Sequence, residues 1–386
     1  METGLFFQSE IQDPYEIYTA RLNKSPVYKD DQSGLWMLYS YEACDFIFKD
    51  QNAFVPETDI HGLNEHALRI VSKLTRLSNS TQHEIAKETL RHLCGSMKPV
   101  STGGILKRML IEINARETID WVQLVAKKLP VAAIAESFGF ESDDSYLIAE
   151  VIERLVKIML PVKTDEQIRL INDIAPDVYA VVEKHLMTNK IYRSLINTVS
   201  LKFSRKREEI LGFFASNLIG LFIQSYDAGR GLLSNSLLQM IMNDKKHPMM
   251  RLSRRQVKSS VIETLRFDPP VHNTKRIATQ DIVFKNVRVF KGDIMLLIVA
   301  AANRDPGQFV NPAVYDIERA NNSEHLTFGT GIHKCLAEHF SVGMTTEALF
   351  FLLDQYGEIQ LPEQKIRYEP LINARLPCNL FVSFSK

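Results

Sequence analysis

One cysteine stands at the end of a glycine-containing stretch, residues 328–335, which reads Phe-Gly-Thr-Gly-Ile-His-Lys-Cys. An apolar stretch of helical character, residues 336–353, follows it directly. A thiolate at a helix N-terminus is stabilised by the helix dipole and by the unpaired backbone N–H groups there. Gly329 and Gly331 let the backbone turn tightly and approach a flat group closely. This arrangement suits a Cys335 that ligates a metal and leaves no room for a disulfide partner.

A second candidate is the pair Glu263 and Arg266, three residues apart in a predicted helix. Side chains at this spacing lie on one helix face, so the carboxylate and the guanidinium can pair. Such pairs are common, and on a surface they contribute little to stability. A Phe-Asp-Pro-Pro sequence follows at residues 267–270, and a coil follows later at residues 312–319. We expect Arg319 to form a fork onto Glu263 and to hold that coil near the cysteine loop.

Together these motifs resemble the cytochrome P450 superfamily, the haem-thiolate monooxygenases. The family's loop is Phe-Gly-x-Gly-x-His/Arg-x-Cys-x-Gly, and only its last glycine differs here, where Ala337 stands. Glu263 and Arg266 match the family's Glu-x-x-Arg, and residues 303–312 resemble the bacterial form of the stretch before the haem loop. The motifs occur in family order over residues 81–337, and the length is that of a soluble bacterial member.

The resemblance implies a mainly α, partly β triangular fold in a single domain, residues 1–386. Haem b would lie between the long central helix and the cysteine loop, with Cys335 as the axial thiolate. Such a ligand donates electron density to iron and favours O–O cleavage. Phe328 and Gly329 would pack near the sulfur. The alternatives for Cys335 are a buried structural thiol or half of a His-x-Cys zinc site, for which the sequence has no second Cys/His cluster.

The resemblance also implies partners for the two haem propionates, which need cations or hydrogen-bond donors. The matching positions are His83 and Lys87, then Arg276, then His333. His83 and Lys87 are four residues apart in a predicted helix and so share a face. Lys87 keeps the charge of the family's usual arginine but loses its forked geometry. The alternative for each is a solvated or structural side chain, and His325 is interpreted as structural.

The central helix departs from the family pattern, which is Ala/Gly-Gly-x-Asp/Glu-Thr. Asp227 stands at the acid position, and Ala228 stands where the threonine hydroxyl belongs. Gln224 and Ser225 replace the small residues of the family groove, and packing inside a buried helix is the alternative for Gln224 and Tyr226.

Several consequences of this departure stay open. Asp227 could hold a water and use a substrate hydroxyl to deliver protons, or Gln224, Ser225 or Tyr226 could supply the lost donor. Hydrogen peroxide could replace dioxygen, although the peroxide-using relatives tend to carry an Arg-Pro pair and here Arg230 precedes Gly231. Ring coupling or desaturation, which needs no oxygen insertion, is a further possibility. The last possibility is that turnover has been lost and only ligand binding remains.

The resemblance places substrate contacts at residues 63–77, 226–228, 271–273 and 374–377. Val271 and Asn273 are the named candidates. Residues 59–76 mix apolar and charged side chains, which leaves a polar substrate or one tethered to a carrier protein open.

The overall composition bears on the partners and the cellular compartment of the protein. Of 386 residues, 45% are hydrophobic and 24% charged, and 46 basic residues balance 46 acidic ones. This balance does not suggest a nucleic-acid partner. The four cysteines contain no CxxC pair, which fits a reducing compartment. We find no signal peptide and no apolar stretch long enough to span a bilayer. A cytoplasmic monomer with no membrane partner is expected.

Periodicity predicts helices through most of residues 81–266, with a long buried central helix at 210–242. Short strands are expected near residues 35–39, 281–290, 294–300 and 379–384, and a coil at 303–323. No linker separates two domains.

The function implied is a haem-thiolate monooxygenase that oxidises a small organic substrate, in a tailoring step of secondary metabolism. It would use O2 and electrons from NAD(P)H through a ferredoxin and a ferredoxin reductase. The alternatives are oxidative coupling or desaturation, or a catalytically silent haem protein that recruits a partner.

Overall fold

The computed structural model describes residues 5–113 and 118–385, and the first four residues, part of the N-terminus searched for a signal peptide, lie outside them. Helices contain 56% of the chain and the sheets are small, which confirms the predicted fold class. The helices are α1 (Pro14–Lys24), α2 (Tyr41–Lys49), α3 (Glu65–Val71), α4 (Ser80–Ser96), α5 (Thr102–Glu112), α6 (Leu129–Phe138), α7 (Ser142–Leu155), α8 (Asp165–Thr188), α9 (Lys190–Phe203), α10 (Arg207–Met242), α11 (Arg254–Phe267), α12 (Val299–Ala302) and α13 (Glu338–Gln355).

The strands are β1 (Val27–Lys29), β2 (Trp36–Leu38), β3 (Ala53–Phe54), β4 (Thr118–Asp120), β5 (Thr274–Ala278), β6 (Ile282–Phe284), β7 (Val287–Val289), β8 (Ile294–Leu297), β9 (Glu358–Gln360) and β10 (Phe381–Ser385). The chain divides into two compact units. One contains Met1–Pro56, Ser101–Lys127 and Ala228–Lys386, and the other contains Glu57–Val100 and Lys128–Asp227. The single domain remains a prediction.

A five-stranded sheet in the first unit has the order β1-β2-β8-β5-β3. Strand β8 is apolar throughout, and it pairs parallel with β2 and antiparallel with β5. A central strand flanked on both sides needs this continuous apolar character. The predicted strand at 294–300 ends at Leu297, because the alanine-rich residues that follow form α12. Strand β5 was not predicted, since its Thr-Lys-Arg-Ile-Ala sequence lacks an apolar face.

The second unit is a helical assembly. Helix α8 packs against α3, α7 and α9, and α9 also packs against α4. Thr164 and Gln167 form a capping box at the start of α8, which satisfies two backbone donors of its first turn. Asn64 caps α3 and also bonds Asn172 of α8. These bonds fix the segment between residues 59 and 77 on α8.

The long central helix α10 has 36 residues and confirms the prediction for residues 210–242. Its sequence shows no single apolar face, as expected of a helix that is buried on most sides. The boundary between the two units falls between Asp227 and Ala228 on this helix. None of the helices in the described part of the chain has the length and apolar character needed to cross a membrane.

Candidate active site

The cysteine loop is pressed against α2. Gly329 and Gly331 have φ angles of +67° and +69°, and a Cβ on Gly331 would lie 2.3 Å from the carbonyl oxygen of Phe48. A residue with a side chain would be strained there and would also clash, so the position requires glycine. The Thr330 hydroxyl donates to Asp45 at 2.9 Å. These contacts explain why the loop takes one shape.

The loop closes on its own backbone before the next helix. The Cys335 N–H donates to the Phe328 carbonyl at 2.9 Å, and the Cys335 residue is exposed. Helix α13 begins at Glu338, three residues beyond the cysteine, so it starts slightly later than predicted. The thiol therefore stands at the end of a constrained turn.

Glu263 and Arg266 form a fully buried pair on α11. Arg266 donates to both carboxylate oxygens of Glu263, at 2.6 and 2.9 Å. Arg319 reaches the same carboxylate, with Nε 3.3 Å from Oε1. The side chains of Glu263 and Arg266 have no exposed area. The structure thus brings together the three residues that the sequence analysis expected to meet.

The two guanidinium groups also hold the coil that follows α12. Arg266 donates to the carbonyls of Asn303, Pro312 and Val314, at 2.9 to 3.1 Å. Arg319 donates to the carbonyls of Val310 and Asn311 and, like Arg266, to the carbonyl of Val314. Coil backbone that lacks a ladder partner is satisfied in this way. The coil is therefore as rigid as a regular element.

Asn303 and Thr327 link α11 to the cysteine loop, and the sequence analysis did not single them out. The Asn303 side chain accepts from the Leu326 N–H at 2.7 Å and donates to Thr327. The Thr327 hydroxyl donates to the Leu265 carbonyl at 2.6 Å. The Gly329 N–H then donates to Leu326 at 2.8 Å. The available signal was that Asn303 is the first residue of the stretch 303–312, which carries part of the family resemblance.

Arg276 is buried on β5 and lies over the ring of Phe48, 5.2 Å from its centroid. Phe48 also supplies the carbonyl on which Gly331 rests, so one α2 residue contacts both the cation and the loop. Arg276 additionally donates to the Lys275 carbonyl at 2.8 Å. His333 is half-buried in a short 3-10 turn of the loop. Two predicted propionate partners thus belong to the unit that carries Cys335.

His83 and Lys87 lie on α4 in the second unit and share a helix face, as predicted. His83 is buried, and its Nδ1 lies 3.1 Å from the Thr75 carbonyl. A carbonyl only accepts, so this nitrogen carries the proton. Burial lowers the pKa of Lys87, and neighbouring Arg91 lowers it further.

The polar residues of the central helix turn towards their own backbone. The Gln224 amide donates to the Gly220 carbonyl at 3.1 Å, and the Ser225 hydroxyl donates to the Phe222 carbonyl at 3.0 Å. Tyr226 is buried, whereas Asp227 and Ala228 are half-buried. Two of the donors considered as replacements for the threonine hydroxyl are thus engaged within the helix.

The two late turns expected to contact substrate are joined to each other. Val271 forms a β-bridge with Ala374, and the Asn273 amide donates to the Ile372 carbonyl at 2.9 Å. Gly231 of α10 lets the turn at Pro270 pack closely against the helix, because a Cβ at position 231 would lie 2.6 Å from Pro270. The chain segment after Ala228 and both turns therefore form one packed group.

His325 has the structural role that was expected. It is buried, and its Nδ1 accepts from the Thr327 N–H at 3.2 Å. Burial lowers its pKa from 6.5 to about 3, with the charges of Lys334 and Arg266 adding to the effect. The ring therefore stays neutral beside Phe328, 5.6 Å away.

Comparison with known proteins shows similarity to cytochromes P450. The cytochrome P450 family model matches residues 235–368. A biotin biosynthesis cytochrome P450 from Bacillus subtilis is 24% identical over 97% of each chain. Cytochrome P450(BM-1) from Priestia megaterium is 24% identical over 95% of this chain and 93% of its own. The chain is thus similar to cytochromes P450 over nearly its whole length.

Solved P450 structures share its fold. The structure of P450BioI with an acyl carrier protein ligated to hexadec-9Z-enoic acid has a TM-score of 0.83 and 24% identity, covering 98% of this chain and 100% of that one. The structure of CalO2 has a TM-score of 0.82 and 20% identity, covering 97% and 96%. Cytochromes P450 are oxidoreductases of the monooxygenase type, and their cofactor is haem with a cysteine thiolate as axial ligand.

The residues present fit that cofactor. Of the four cysteines, Cys335 is the one inside the region that the family model matches. It is exposed at the end of a loop in which Gly329 and Gly331 both have positive φ angles. A buried guanidinium from Arg276 lies close to the same α2 residue as the loop. A thiolate and a cation of this kind suit an iron porphyrin with acidic side groups.

Proposed function

We propose that this protein is a cytochrome P450 with Cys335 as the axial ligand, and that it oxidises a small organic substrate in a tailoring step of secondary metabolism. The observation that carries the proposal is the single rigid assembly that holds Cys335. The loop rests on α2, and hydrogen bonds through Asn303 connect it to the buried Glu263–Arg266 pair. When bound, the haem supplies activation of dioxygen, one atom of which enters the substrate while the other leaves as water.

Arg276, His333, His83 and Lys87 are the residues that would hold the propionates. For His83 the atom that would face a carboxylate is Nε2, because Nδ1 serves the Thr75 carbonyl. Lys87 would supply a point charge without bidentate geometry.

Proton delivery would use Asp227 together with a water or a substrate hydroxyl. Ala228 has no hydroxyl, and the Gln224 and Ser225 donors are already bonded to their own helix. A carboxylate in a half-buried position can hold and pass a proton when a water lies within hydrogen-bond distance. Tyr226 remains the other candidate donor.

Electrons would come from NAD(P)H through a ferredoxin and a ferredoxin reductase. The reaction needs two electrons for each dioxygen, and these two proteins would supply them.

The substrate would be tethered to a carrier protein. One structural relative was crystallised with an acyl carrier protein that holds a fatty acid. Val271 and Asn273, whose turn is joined to residues 372–374, would contact the substrate. Residues 63–77, whose helix α3 packs on α8, are a further candidate for substrate contact.

A ferric Soret titration of the purified haem protein tests this function. The panel contains free small molecules and carrier proteins loaded with acyl and aminoacyl groups. A shift from low to high spin identifies the substrate class, and a shift with loaded carriers alone supports tethering. If no compound and no loaded carrier shifts the Soret band, a haem protein without turnover is favoured. Cys335→Ala should abolish the thiolate-type ferrous carbon-monoxide spectrum, and an unchanged spectrum would refute the ligand assignment.

Ala228 favours a second candidate, oxidative coupling or desaturation, because these reactions do not insert oxygen. Turnover under labelled dioxygen separates the two. Label in the product supports monooxygenation, whereas a product without label supports coupling or desaturation.

A further inference from the structure

A concentrated basic segment lies in a chain of zero net charge. Residues 190–207 contain six basic side chains and no acidic one. We call these six residues the basic surface: Lys190, Arg193, Lys202, Arg205, Lys206 and Arg207. Two glutamates follow at once, Glu208 and Glu209, so residues 190–209 carry six positive and two negative charges, a surplus of four.

In the folded protein these basic side chains lie at the surface. Helix α9 buries Tyr192, Ile196 and Val199, which recur at helical spacing on one face. The six residues of the basic surface lie outside this buried face, on α9, in the turn after it and at the start of α10, and all six are exposed. Two apolar side chains lie among them, Ile191 at 54% exposure and Leu201 at 82%. Cations around exposed apolar side chains are a typical composition of a protein-docking surface.

The turn that carries half of the surface is rigid. Helix α9 ends at Ser204, which adopts a left-handed conformation with φ of 52°. The Arg205 N–H donates to the Ser200 carbonyl at 3.1 Å, and the Ser200 hydroxyl donates to the Arg205 carbonyl at 2.6 Å. A partner therefore meets a preformed surface, which lowers the ordering cost of binding.

Internal ion pairs neutralise only part of the charge. Lys202 pairs with Glu88 at 2.5 Å, and Arg205 lies 3.8 Å from Glu209. Among the residues that the structure describes, the other four cations of the basic surface have no acidic partner within 4.0 Å; they are Lys190, Arg193, Lys206 and Arg207. Their charge is available to an external acidic group.

We propose that the basic surface docks the acidic face of the carrier protein that delivers the tethered substrate. This inference rests on the proposed function, since it assumes a carrier-bound substrate. Carrier proteins are small and acidic, which complements a surplus of four positive charges. Leu201 and Ile191 would add apolar contact. Steering by opposite charges raises the association rate and makes it sensitive to salt.

The position of the surface in the fold favours a carrier over an electron donor. Helix α9 packs on α8, and α8 packs on α3, which belongs to the segment expected to contact substrate. All three helices lie in one compact unit. Cys335, the residue that an electron donor would have to serve, belongs to the other unit.

The test is direct binding of a fluorescently labelled acyl carrier protein, loaded with hexadec-9Z-enoate, to the full-length haem protein. The variant is the double charge reversal Arg205→Glu with Lys206→Glu. The matched control is Lys291→Glu with Lys365→Glu, two exposed lysines of the other unit. All three proteins must show the thiolate-type carbon-monoxide spectrum before use.

We expect the double reversal to weaken carrier binding about tenfold at low salt and much less at high salt. The control should change binding less than about twofold, and the Soret response to free hexadecenoate should be the same in all three proteins. Equal carrier affinity of variant and wild type would overturn the proposal. So would a variant that keeps its carrier affinity but loses binding to ferredoxin or to phosphatidylglycerol vesicles.

The two proposals fail in different ways. If loaded carriers bind but no compound shifts the Soret band, the substrate assignment fails while the docking surface stands. If loaded carriers shift the Soret band equally in the wild type and the double reversal, the function stands and the docking surface is refuted.

Discussion

At the scale of single residues, Gly331 determines how closely the cysteine loop approaches α2. Its positive φ is one reason for glycine, and the 2.3 Å that would separate a Cβ from the Phe48 carbonyl oxygen is a second, independent one. Backbone atoms cannot move aside as a flexible side chain can. The position of the Cys335 loop is therefore set by contact with a residue 283 positions earlier in the chain.

Gly331→Ala should lower the free energy of unfolding by about 1–3 kcal/mol, because the strained backbone and the clash both oppose the native loop. The fraction of haem-loaded protein should fall with it. The measurement is denaturant unfolding together with the haem-to-protein ratio. Gly343→Ala on α13, where a Cβ would meet nothing within 4 Å, is the control and should not destabilise. Equal behaviour of the two variants would contradict the role given to Gly331.

Ala228→Thr tests proton delivery at the same scale. If Asp227 works with a water or a substrate hydroxyl, the restored threonine should not raise the coupling of NAD(P)H oxidation to product. Ala228→Val is the control, because valine matches threonine in shape and lacks the hydroxyl. The measurement is product formed per NAD(P)H consumed. A large gain with threonine but not with valine would show that the missing hydroxyl limits this enzyme.

At the scale of elements, the buried charges of α11 hold a coil in place of regular structure. The Glu263 carboxylate accepts from Arg266, from Arg319 and from the Asp316 N–H at 3.0 Å. Removing one partner of such a group leaves a buried charge without compensation, which costs more than the pair contributed. The hydrogen bonds of Glu263 therefore join α11 and the coil into one network.

Glu263→Gln should destabilise the protein by about 3–5 kcal/mol, because it leaves two buried guanidinium groups facing a neutral amide. Arg319→Lys should cost less, since it keeps the charge but loses the forked donors to the coil. Denaturant unfolding and haem retention measure both effects. Arg288→Gln, which removes an exposed ion pair with Asp281, is the control and should cost less than about 1 kcal/mol. A loss at Glu263 no larger than the control's would show that the coil is held by other contacts.

At the scale of the whole molecule, two buried histidines make stability depend on pH. Burial lowers the pKa of His325 to about 3 and the pKa of His272 well below its ordinary value. Arg375 and Arg304 add to the effect at His272. Both rings stay neutral in the folded protein, whereas in the unfolded chain they take up protons below about pH 6.5. Acid therefore favours the unfolded state.

Stability should fall as the pH decreases from about 6.5 towards 3, and each histidine should contribute up to about 1.4 kcal/mol per pH unit in that window. His325→Asn keeps an acceptor for the Thr327 N–H and removes the titration, so its stability should fall less steeply with acid. Unfolding free energies between pH 4 and pH 7 measure this difference. His61→Asn, an exposed position, is the control. An identical slope for His325→Asn and the wild type would show that His325 is not neutral in the folded protein.

Local motifs in the sequence were sufficient for the cysteine loop, the Glu263–Arg266 pair and the long helix α10, because each depends on residue types at short spacing. The meeting of Arg319 with Glu263 also followed from the sequence, once the coil was placed near the loop. Strand β5 did not follow from the sequence, since only its pairing with β3 and β8 makes it a strand.

The tertiary structure decided what the linear sequence cannot express. The partner of Gly331 is a backbone carbonyl on α2, and the link from Leu265 to the loop passes through Asn303 and Thr327. The basic surface needed the helix face as well as the charge count, because only burial of Tyr192, Ile196 and Val199 shows which way the cations point. Contacts between residues far apart in sequence, and the burial they produce, exist only once the chain has folded.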